Sequence, residues 1–204
     1  MHTFEIHYYS LTNQIIIPHR DPTGRLIGIR ARNLNPRDIT DIGKSLPVRI
    51  NGISLSHPLG ANLYGLNKTL PAIKKSRRIL LFEAEKSVMQ LYSYYGKAAP
   101  AAALCGSHIS QSHIALLKTL PLKEIILAFD RDYKAPNTFK ARRWKNTQIR
   151  KALPLLDVAP TSLIIDDGAL LDYKDSPSDK GRDTFETLYH NRLPITKALM
   201  EKGH

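Results

Sequence analysis

The stretch "ILLFEAEKSV" (residues 79–88) ends a run of aliphatic residues on a carboxylate, Glu83, and continues directly into a helical pattern. A continuous aliphatic run is typical of a strand that is buried on both faces of a sheet. Its C-terminal end would lie at the rim of the sheet, where open parallel sheets bind their ligands. Glu83 could also be an ordinary solvated charge, since acidic residues are common at helix starts.

The same alternation of short apolar strands and helices continues along the chain and predicts a parallel sheet with covering helices. The predicted strands are 78–83, 100–104, 124–130 and 162–166, and the predicted helices are about 85–95, 110–119 and 138–153. Before this region, Pro and Gly separate small predicted strands at 14–18, 25–31 and 46–50. After it, a charged, turn-rich tail from 171 contains a short predicted helix near 181–190.

The composition indicates a globular protein that attracts polyanions. Thirty Lys and Arg against eighteen Asp and Glu give a net charge of +12, which favours nucleic acid as the partner, with a membrane surface second. The apolar runs are too short to span a bilayer and the first residues lack a leader pattern, so we expect a cytoplasmic protein without a membrane partner. The single cysteine, Cys105, excludes an intrachain disulfide and a zinc site built on several thiolates.

A second acidic element strengthens the interpretation of Glu83. The predicted strand 124–130 ends in "FDRD", which supplies Asp130 and Asp132. If the two strands are neighbours, these carboxylates converge, and their mutual repulsion would raise their pKa values unless a divalent cation neutralises them. Oxygen ligands completed by water suit Mg²⁺ or Mn²⁺. A lone D-x-D motif is common without a metal, so the joint placement at two strand ends carries the prediction.

These motifs resemble a known family. "ILLFEAEKS" followed by "EIILAFDRDY" is similar to the TOPRIM module of DNA primases, topoisomerases and some nucleases. Upstream, "RDPTGRLIGIRARNL" and a segment containing "LYGL" resemble the polymerase core of bacterial and phage primases, and downstream "LLDYKDSPSDKG" resembles its third acidic element. The resemblance covers roughly residues 13 to 190, and the order and spacing of the motifs are its most specific part.

The resemblance implies an α/β fold: a TOPRIM-like parallel sheet flanked by helices, with a small N-terminal α+β subdomain. We expect a basic N-terminal subdomain at 1–75, the TOPRIM domain at 76–170, and an acidic loop with a short C-terminal helix at 171–204. The implied catalytic and metal-binding residues are Glu83, Asp130 and Asp132, with Asp175 and Asp179 as supporting metal ligands. Basic residues expected to face nucleotide phosphates or template are Arg25, Arg30, Arg32, Lys44 and Lys86.

The chain departs from the family pattern at three positions. Many primases carry an Asp where this chain has Ser87, a Gly where it has Ala84, and a basic residue where Pro58 follows His57. These departures leave the number of metals and the strength of catalysis open.

The implied function is that of a primase catalytic core, a nucleotidyltransferase that synthesises short RNA primers during phage or bacterial DNA replication. Its cofactor would be Mg²⁺ or Mn²⁺, and its partners would be single-stranded DNA, ribonucleoside triphosphates and a replicative helicase. Two alternatives remain open: a TOPRIM nuclease that uses the same carboxylates, and a non-catalytic nucleic-acid-binding module with a vestigial metal site. Ser87, at the position where many primases carry an Asp, mildly favours the non-catalytic binding module.

The segment after "DRD" is strongly basic. From Tyr133 to Lys151 it holds seven Lys or Arg and no acidic residue, with Phe139 and Trp144 interleaved. Positive charge attracts a nucleic-acid backbone and an exposed aromatic ring can stack on a base, so we expect binding by Lys134, Arg142 and Arg143. The alternative is a solvated helix whose aromatic residues pack inward.

Cys105, His108 and His113 invite a zinc interpretation, but their spacing matches no strong template and a fourth ligand is missing. We therefore expect Cys105 at a buried strand end, with "CGSH" as a loop over the acidic site, and a structural role for His57.

Overall fold

The structure is a computed structural model, and it describes residues 2–196. Its N-terminal part is an antiparallel sheet of four strands in the order β1-β2-β3-β4, followed by a small hairpin. The elements are β1 (His7–Tyr9), β2 (Gln14–Arg20), β3 (Leu26–Asn33), a short helix α1 (Pro36–Asp41), β4 (Ser45–Pro47), and the hairpin strands β5 (Arg49–Ile50) and β6 (Ile53–Ser54).

A helix that we did not predict, α2 (Leu66–Ser76), joins this sheet to the rest of the chain. It begins after Gly65, whose φ of +82° lies in the left-handed region that favours glycine. A Cβ atom at Gly65 would also lie only 2.8 Å from a methyl group of Val88, so helix α2 packs closely at this point. The helix contains Pro71, a residue that normally breaks helices, so the sequence did not indicate a helix here.

The remaining chain forms a five-stranded sheet in the order β11-β10-β9-β7-β8, with helices between its strands. Strands β7 to β10 pair in parallel, and β11 pairs with β10 in the antiparallel sense. The elements are β7 (Arg78–Phe82), α3 (Glu85–Tyr95), β8 (Ala101–Ala103), α4 (Gln111–Lys118), β9 (Glu124–Ala128), α5 (Phe139–Ala152), β10 (Thr161–Leu163), α6 (Arg182–His190) and β11 (Leu193–Pro194). The predicted α/β class, with a parallel sheet flanked by helices, is confirmed.

The central strands are buried on both faces, as their aliphatic runs predict. In β7, Ile79 and Leu81 contribute to one hydrophobic cluster, whereas Leu80 and Phe82 contribute to the cluster on the opposite face. Strand β9 alternates between the same two clusters. The sheet therefore separates two cores, and its rims are where polar side chains can reach solvent.

Parallel pairing of β7 with β9 positions the acidic motifs. Phe82 is the register partner of Ala128, so the C-terminal ends of both strands lie at the same edge of the sheet. Glu83 follows β7 directly, and Asp130 comes two residues after the end of β9.

The element boundaries differ from the predicted ones mainly in length. Strand β10 is shorter than predicted, and the predicted strand 46–50 divides between β4 and β5. Helix α2 runs across the boundary expected at residue 75, and β11 connects the expected third segment to the five-stranded sheet. The end of that segment, residues 197–204, lies outside the described residues. In residues 2–196, no helix combines the length and the apolar character needed to cross a membrane.

The edge strand β8 is covered along part of its free side. Tyr64 donates its backbone N–H to the carbonyl of Ala103 at 2.8 Å, and Ala103 donates back to the carbonyl of Tyr64 at 3.0 Å. This antiparallel bridge ties the segment before α2 to the larger sheet.

A buried ion pair fixes the loop after β10. The guanidinium of Arg131 donates to Asp166 Oδ2 at 2.9 Å, and both side chains are almost fully buried. Asp166 also accepts the backbone N–H groups of Leu170 and Leu171. The central arginine of "DRD" is therefore structural. It holds the loop 166–171 against the sheet edge that carries Glu83 and Asp130, which we call the acidic rim.

Replacing Asp166 by Ala should destabilise the protein by about 3–5 kcal/mol, because it leaves the buried charge of Arg131 without a counter-charge. Asp167→Ala at the neighbouring exposed position is the matched control and should cost little. Urea unfolding of both variants measures the difference. Equal stabilities for the two variants would contradict a structural role for the Arg131–Asp166 pair.

Candidate metal and nucleotide site

The acidic rim opens into a cavity of about 500 Å³. One side carries the side chains that follow the two strands. The other side, the α5 stripe, consists of Lys140, Arg143, Trp144, Thr147, Gln148 and Lys151. The lining residues are Glu83, Ser107, Asp130, Asp132, Lys140, Arg143, Trp144, Thr147, Gln148, Lys151 and Lys174. Three carboxylates and four cationic side chains thus line one space.

Glu83 and Asp130 lie together in a partly buried position. Burial, followed by the charge of Asp130, raises the pKa of Glu83 to about 7. Burial and the charge of Asp179 also raise the pKa of Asp130. Burial is the largest cause of both shifts, so a cation that pairs with the ionised carboxylates would offset their lost solvation.

The donor set fits a divalent cation. Asp130 Oδ1 is buried and accepts no hydrogen bond within residues 2–196, although a buried carboxylate oxygen normally has a partner. A cation bound by Glu83 and Asp130 would satisfy that oxygen and remove the repulsion between the two groups. Hard oxygen ligands next to an open cavity, where water can complete the shell, suit Mg²⁺ or Mn²⁺.

Asp132 differs from the other two predicted carboxylates. Its side chain is 49% exposed and forms an ion pair with Lys174 at 2.7 Å. The hydrogen bond from Lys174 lowers the pKa of Asp132. Asp132 therefore lines the same cavity as Glu83 and Asp130, but it is engaged by a lysine from the loop after β10.

The two supporting acidic residues have separate surroundings. Asp179 raises the pKa of Asp130 and so lies near the site, and its carboxylate is paired with Lys86 at 2.7 Å. Burial would raise the pKa of Asp179, but hydrogen bonds from Lys86 and from the backbone of Ser176 lower it. Asp175 instead accepts the backbone N–H of Asp172 and lies 3.4 Å from Lys180.

Of the basic residues predicted in the N-terminal part, Lys44 lies near the acidic site, whereas Arg30 and Arg25 form ion pairs with other carboxylates. Lys44 lies near the acidic site: burial and the charges of Arg32 and Lys86 lower its pKa, opposed by the charges of Asp130 and Asp179. Arg30 turns inward and pairs with Glu85 at 3.3 Å. Arg25 pairs with Asp21 at 2.8 Å within the turn between β2 and β3.

Helix α5 places only part of the predicted basic segment at the cavity. Arg143 lines it, whereas the exposed residues Lys134 and Arg142 do not. Trp144 is buried and packs edge-on against Tyr133, with ring centres 5.3 Å apart. Phe139 is 72% exposed and remains available for stacking.

The structure adds lining residues that the sequence interpretation left out of the site. Lys140 and Lys151 come from the α5 stripe, and Lys174 comes from the loop beside the third acidic element. Gln148 is 4% exposed, and its Oε1 atom has no hydrogen-bond partner within residues 2–196. Helical spacing from Arg143 could have identified Gln148 and Lys151, but no pattern in the sequence identifies Lys174.

The chain is similar in sequence to a prophage protein and to a bacterial DNA primase. No family model matches the chain. The SPbeta prophage-derived uncharacterized protein YorJ of Bacillus subtilis is 35% identical over 202 residues, which cover 94% of this chain and 53% of that protein. The DNA primase of Neisseria meningitidis is 34% identical over 109 residues, which cover 50% of this chain and 17% of the primase. The chain thus spans about half of YorJ and a smaller share of the primase.

Solved structures share the architecture. The zinc-binding and RNA polymerase domains of the Aquifex aeolicus primase match with a TM-score of 0.67 and 20% identity, covering 92% of this chain and 42% of that one. The DnaG primase catalytic domain bound to single-stranded DNA matches with a TM-score of 0.62 and 23% identity, covering 93% of this chain and 55% of that one. The chain has the fold of the DnaG primase catalytic core. This confirms the fold of a TOPRIM-containing primase core that the motifs predicted.

The raised pKa of Glu83 predicts how stability depends on pH in metal-free protein. Between its ordinary pKa of 4.5 and about 7, the folded chain holds a proton on Glu83 that the unfolded chain has released. Stability should therefore fall as pH rises through this window, and Glu83→Gln should remove this part of the fall. Thermal unfolding midpoints at several pH values, in chelator, measure it.

Mg²⁺ should restore stability to the unmodified protein above this window and have little effect below it, because the cation binds the ionised carboxylates. Asp157→Asn, at an exposed position away from the cavity, is the control. Parallel pH profiles for Glu83→Gln and the unmodified protein would contradict the assignment.

Proposed function

We propose that this chain is the catalytic core of a DNA primase, which joins ribonucleotides into short primers on a single-stranded DNA template. The observation that carries the proposal is the cavity itself: Glu83 and Asp130 from neighbouring strand ends face the basic stripe of α5. The shared primase core fold and the primase sequence relative support the same activity. DNA as the partner is supported by the net charge of +12 and by a primase neighbour bound to single-stranded DNA.

The proposed cofactor is Mg²⁺ or Mn²⁺, held by Glu83 and Asp130. When bound, divalent cations stabilise the negative charge that develops on the attacking and leaving oxygens of phosphoryl transfer. Asp132 would join the ligands if Lys174 moved to a substrate phosphate, and Asp179 would stay near them through its pair with Lys86. The bound cation would give a partner to the buried Oδ1 of Asp130, which has none within residues 2–196.

The cationic side chains would orient the substrate. Lys140, Arg143 and Lys151 project from α5 into the cavity, opposite the carboxylates. In that position they can hold the triphosphate while its α-phosphate meets the attacking hydroxyl. Gln148 adds a buried, unpaired carbonyl oxygen to the same wall, which can accept a hydrogen bond from a ribose hydroxyl or a base.

Replacing Glu83 by Gln or Asp130 by Asn should lower primer synthesis by at least ~10²-fold, because each change removes a charged ligand where transition-state charge is stabilised. Binding of single-stranded DNA should remain. Labelled-nucleotide incorporation, with and without template, measures synthesis, and fluorescence anisotropy measures binding. Asp157→Asn should retain activity. Template cleavage in place of extension would instead support a TOPRIM nuclease.

The adjacent arginines of α5 allow a matched test of the cavity wall. Arg143→Ala removes a charge that faces the cavity, whereas Arg142→Ala removes the same charge outside it. At saturating template, Arg143→Ala should lower nucleotide incorporation by roughly tenfold or more, since one charge-assisted phosphate contact is worth about 1.5–3 kcal/mol.

Arg142→Ala should act only on template binding, and the salt slope of that binding should decrease by roughly one unit if Arg142 contacts a phosphate. Equal incorporation by both variants would contradict a substrate-binding role for the α5 stripe.

A further inference from the structure

A second cluster of possible metal ligands lies at the start of α3. His19 of β2, Glu85 at the start of α3 and Cys105 after β8 each offer a ligand atom, and these atoms lie within 4.8 Å of one another. His19 is 0% and Glu85 5% exposed, so the cluster belongs to the interior. The activity proposed above does not use any of the three side chains.

The donor types and spacing fit Zn²⁺. Imidazole nitrogen, carboxylate oxygen and thiolate sulfur are the ligands that zinc takes in proteins. His19 Nε2 and Glu85 Oε1 are 3.2 Å apart. Two such atoms, each at roughly 2.0–2.1 Å from a tetrahedral zinc ion, would be about 3.3 Å apart. The carboxylate and imidazole therefore already have the separation that a shared ion requires.

The neighbours of these ligands match the outer partners of a metal site. His57 Nε2 lies 2.9 Å from His19 Nδ1, and His57 Nδ1 lies 3.3 Å from the carbonyl of Pro58. If neutral His57 donates from Nδ1 to that carbonyl, its Nε2 accepts the Nδ1 proton of His19. The Nε2 atom of His19 then faces Glu85 either with an added proton or with a metal ion, and an oriented imidazole of this kind is usual in zinc sites.

Cys105 adopts a left-handed backbone conformation, with φ of +57°, that is costly for a residue other than glycine, although seven other such residues among 2–196 also adopt it. One further observation points to an occupant. Tyr64 packs its ring against His19, with centres 4.9 Å apart, and its buried hydroxyl has no hydrogen-bond partner within residues 2–196. The charges of Glu85 and Cys105 both raise the pKa of Tyr64, after burial, so the hydroxyl lies near the cluster.

We propose that His19, Glu85 and Cys105 bind one Zn²⁺ ion, with a water molecule or the Tyr64 hydroxyl in the fourth position. His57 orients His19 from outside, whereas Arg30 Nε lies 3.3 Å from Glu85 Oε1, the oxygen that also faces His19. Binding replaces the thiol proton of Cys105, which is released to solvent. The ion would connect the N-terminal sheet to the start of α3, two residues after Glu83, and so hold the acidic rim in place.

Cys105→Gly provides the test, because glycine removes the thiol and also relieves the left-handed backbone. Tag-free protein is loaded with Zn²⁺ in excess Mg²⁺, which occupies the acidic rim, and is then dialysed. Elemental analysis should find about one zinc ion per chain in the unmodified protein and none in Cys105→Gly. Titration of metal-free protein with Co²⁺ should produce the ultraviolet charge-transfer band of a cobalt–thiolate bond, absent in the variant.

His108→Gln is the matched control, since His108 is an exposed histidine of the same loop, and it should retain the zinc ion and the cobalt band. A chelator should lower the unfolding temperature of the unmodified protein but not that of Cys105→Gly. Metal-free Cys105→Gly should be at least as stable as the metal-free parent. Zinc-free unmodified protein without a cobalt–thiolate band would overturn the proposal and leave His19 as a hydrogen-bond partner of Glu85.

Discussion

Parallel pairing of β7 with β9 is the constraint on which the acidic site depends. Because both strands run in the same direction and are in register at Phe82 and Ala128, the residues that follow them share one edge of the sheet. Two apolar cores hold the strands from opposite faces, so the edge cannot shift to separate the carboxylates of Glu83 and Asp130. Apolar packing thus supplies the free energy that keeps like charges together at a partly buried position.

The surrounding charges have different structural roles. Arg131 forms a buried ion pair with Asp166, and Lys86 forms an ion pair with Asp179 beside the site. Neither ion pair touches the α5 stripe, whose lysines and Arg143 face the cavity. Asp130 retains an oxygen without a hydrogen-bond partner in residues 2–196. Structural ion pairs fix the rim, and the groups that remain are those that a metal and a phosphate can bind.

The sequence predicted the parallel sheet and the convergence of Glu83 with Asp130, because both depend on short-range patterns and one general rule about strand ends. It did not predict helix α2, since Pro71 interrupts its pattern. It also could not identify Lys174, which reaches Asp132 through a loop without periodicity. Arg30 shows a further limit: its motif position suggested phosphate binding, but a buried carboxylate, Glu85, pairs with it. Such pairings depend on tertiary packing.

The two edge strands of the larger sheet, β8 and β11, affect the tendency of the protein to aggregate. Strand β8 offers its outer side to the segment around Tyr64, and β11 spans only two residues, one of them Pro194, which has no N–H to donate. Exposed, regular edge strands are templates on which other chains add strands and form aggregates. Within residues 2–196, both margins of this sheet resist such growth. The chain therefore carries a strongly cationic charge while neither margin of this sheet offers other chains a long, regular edge.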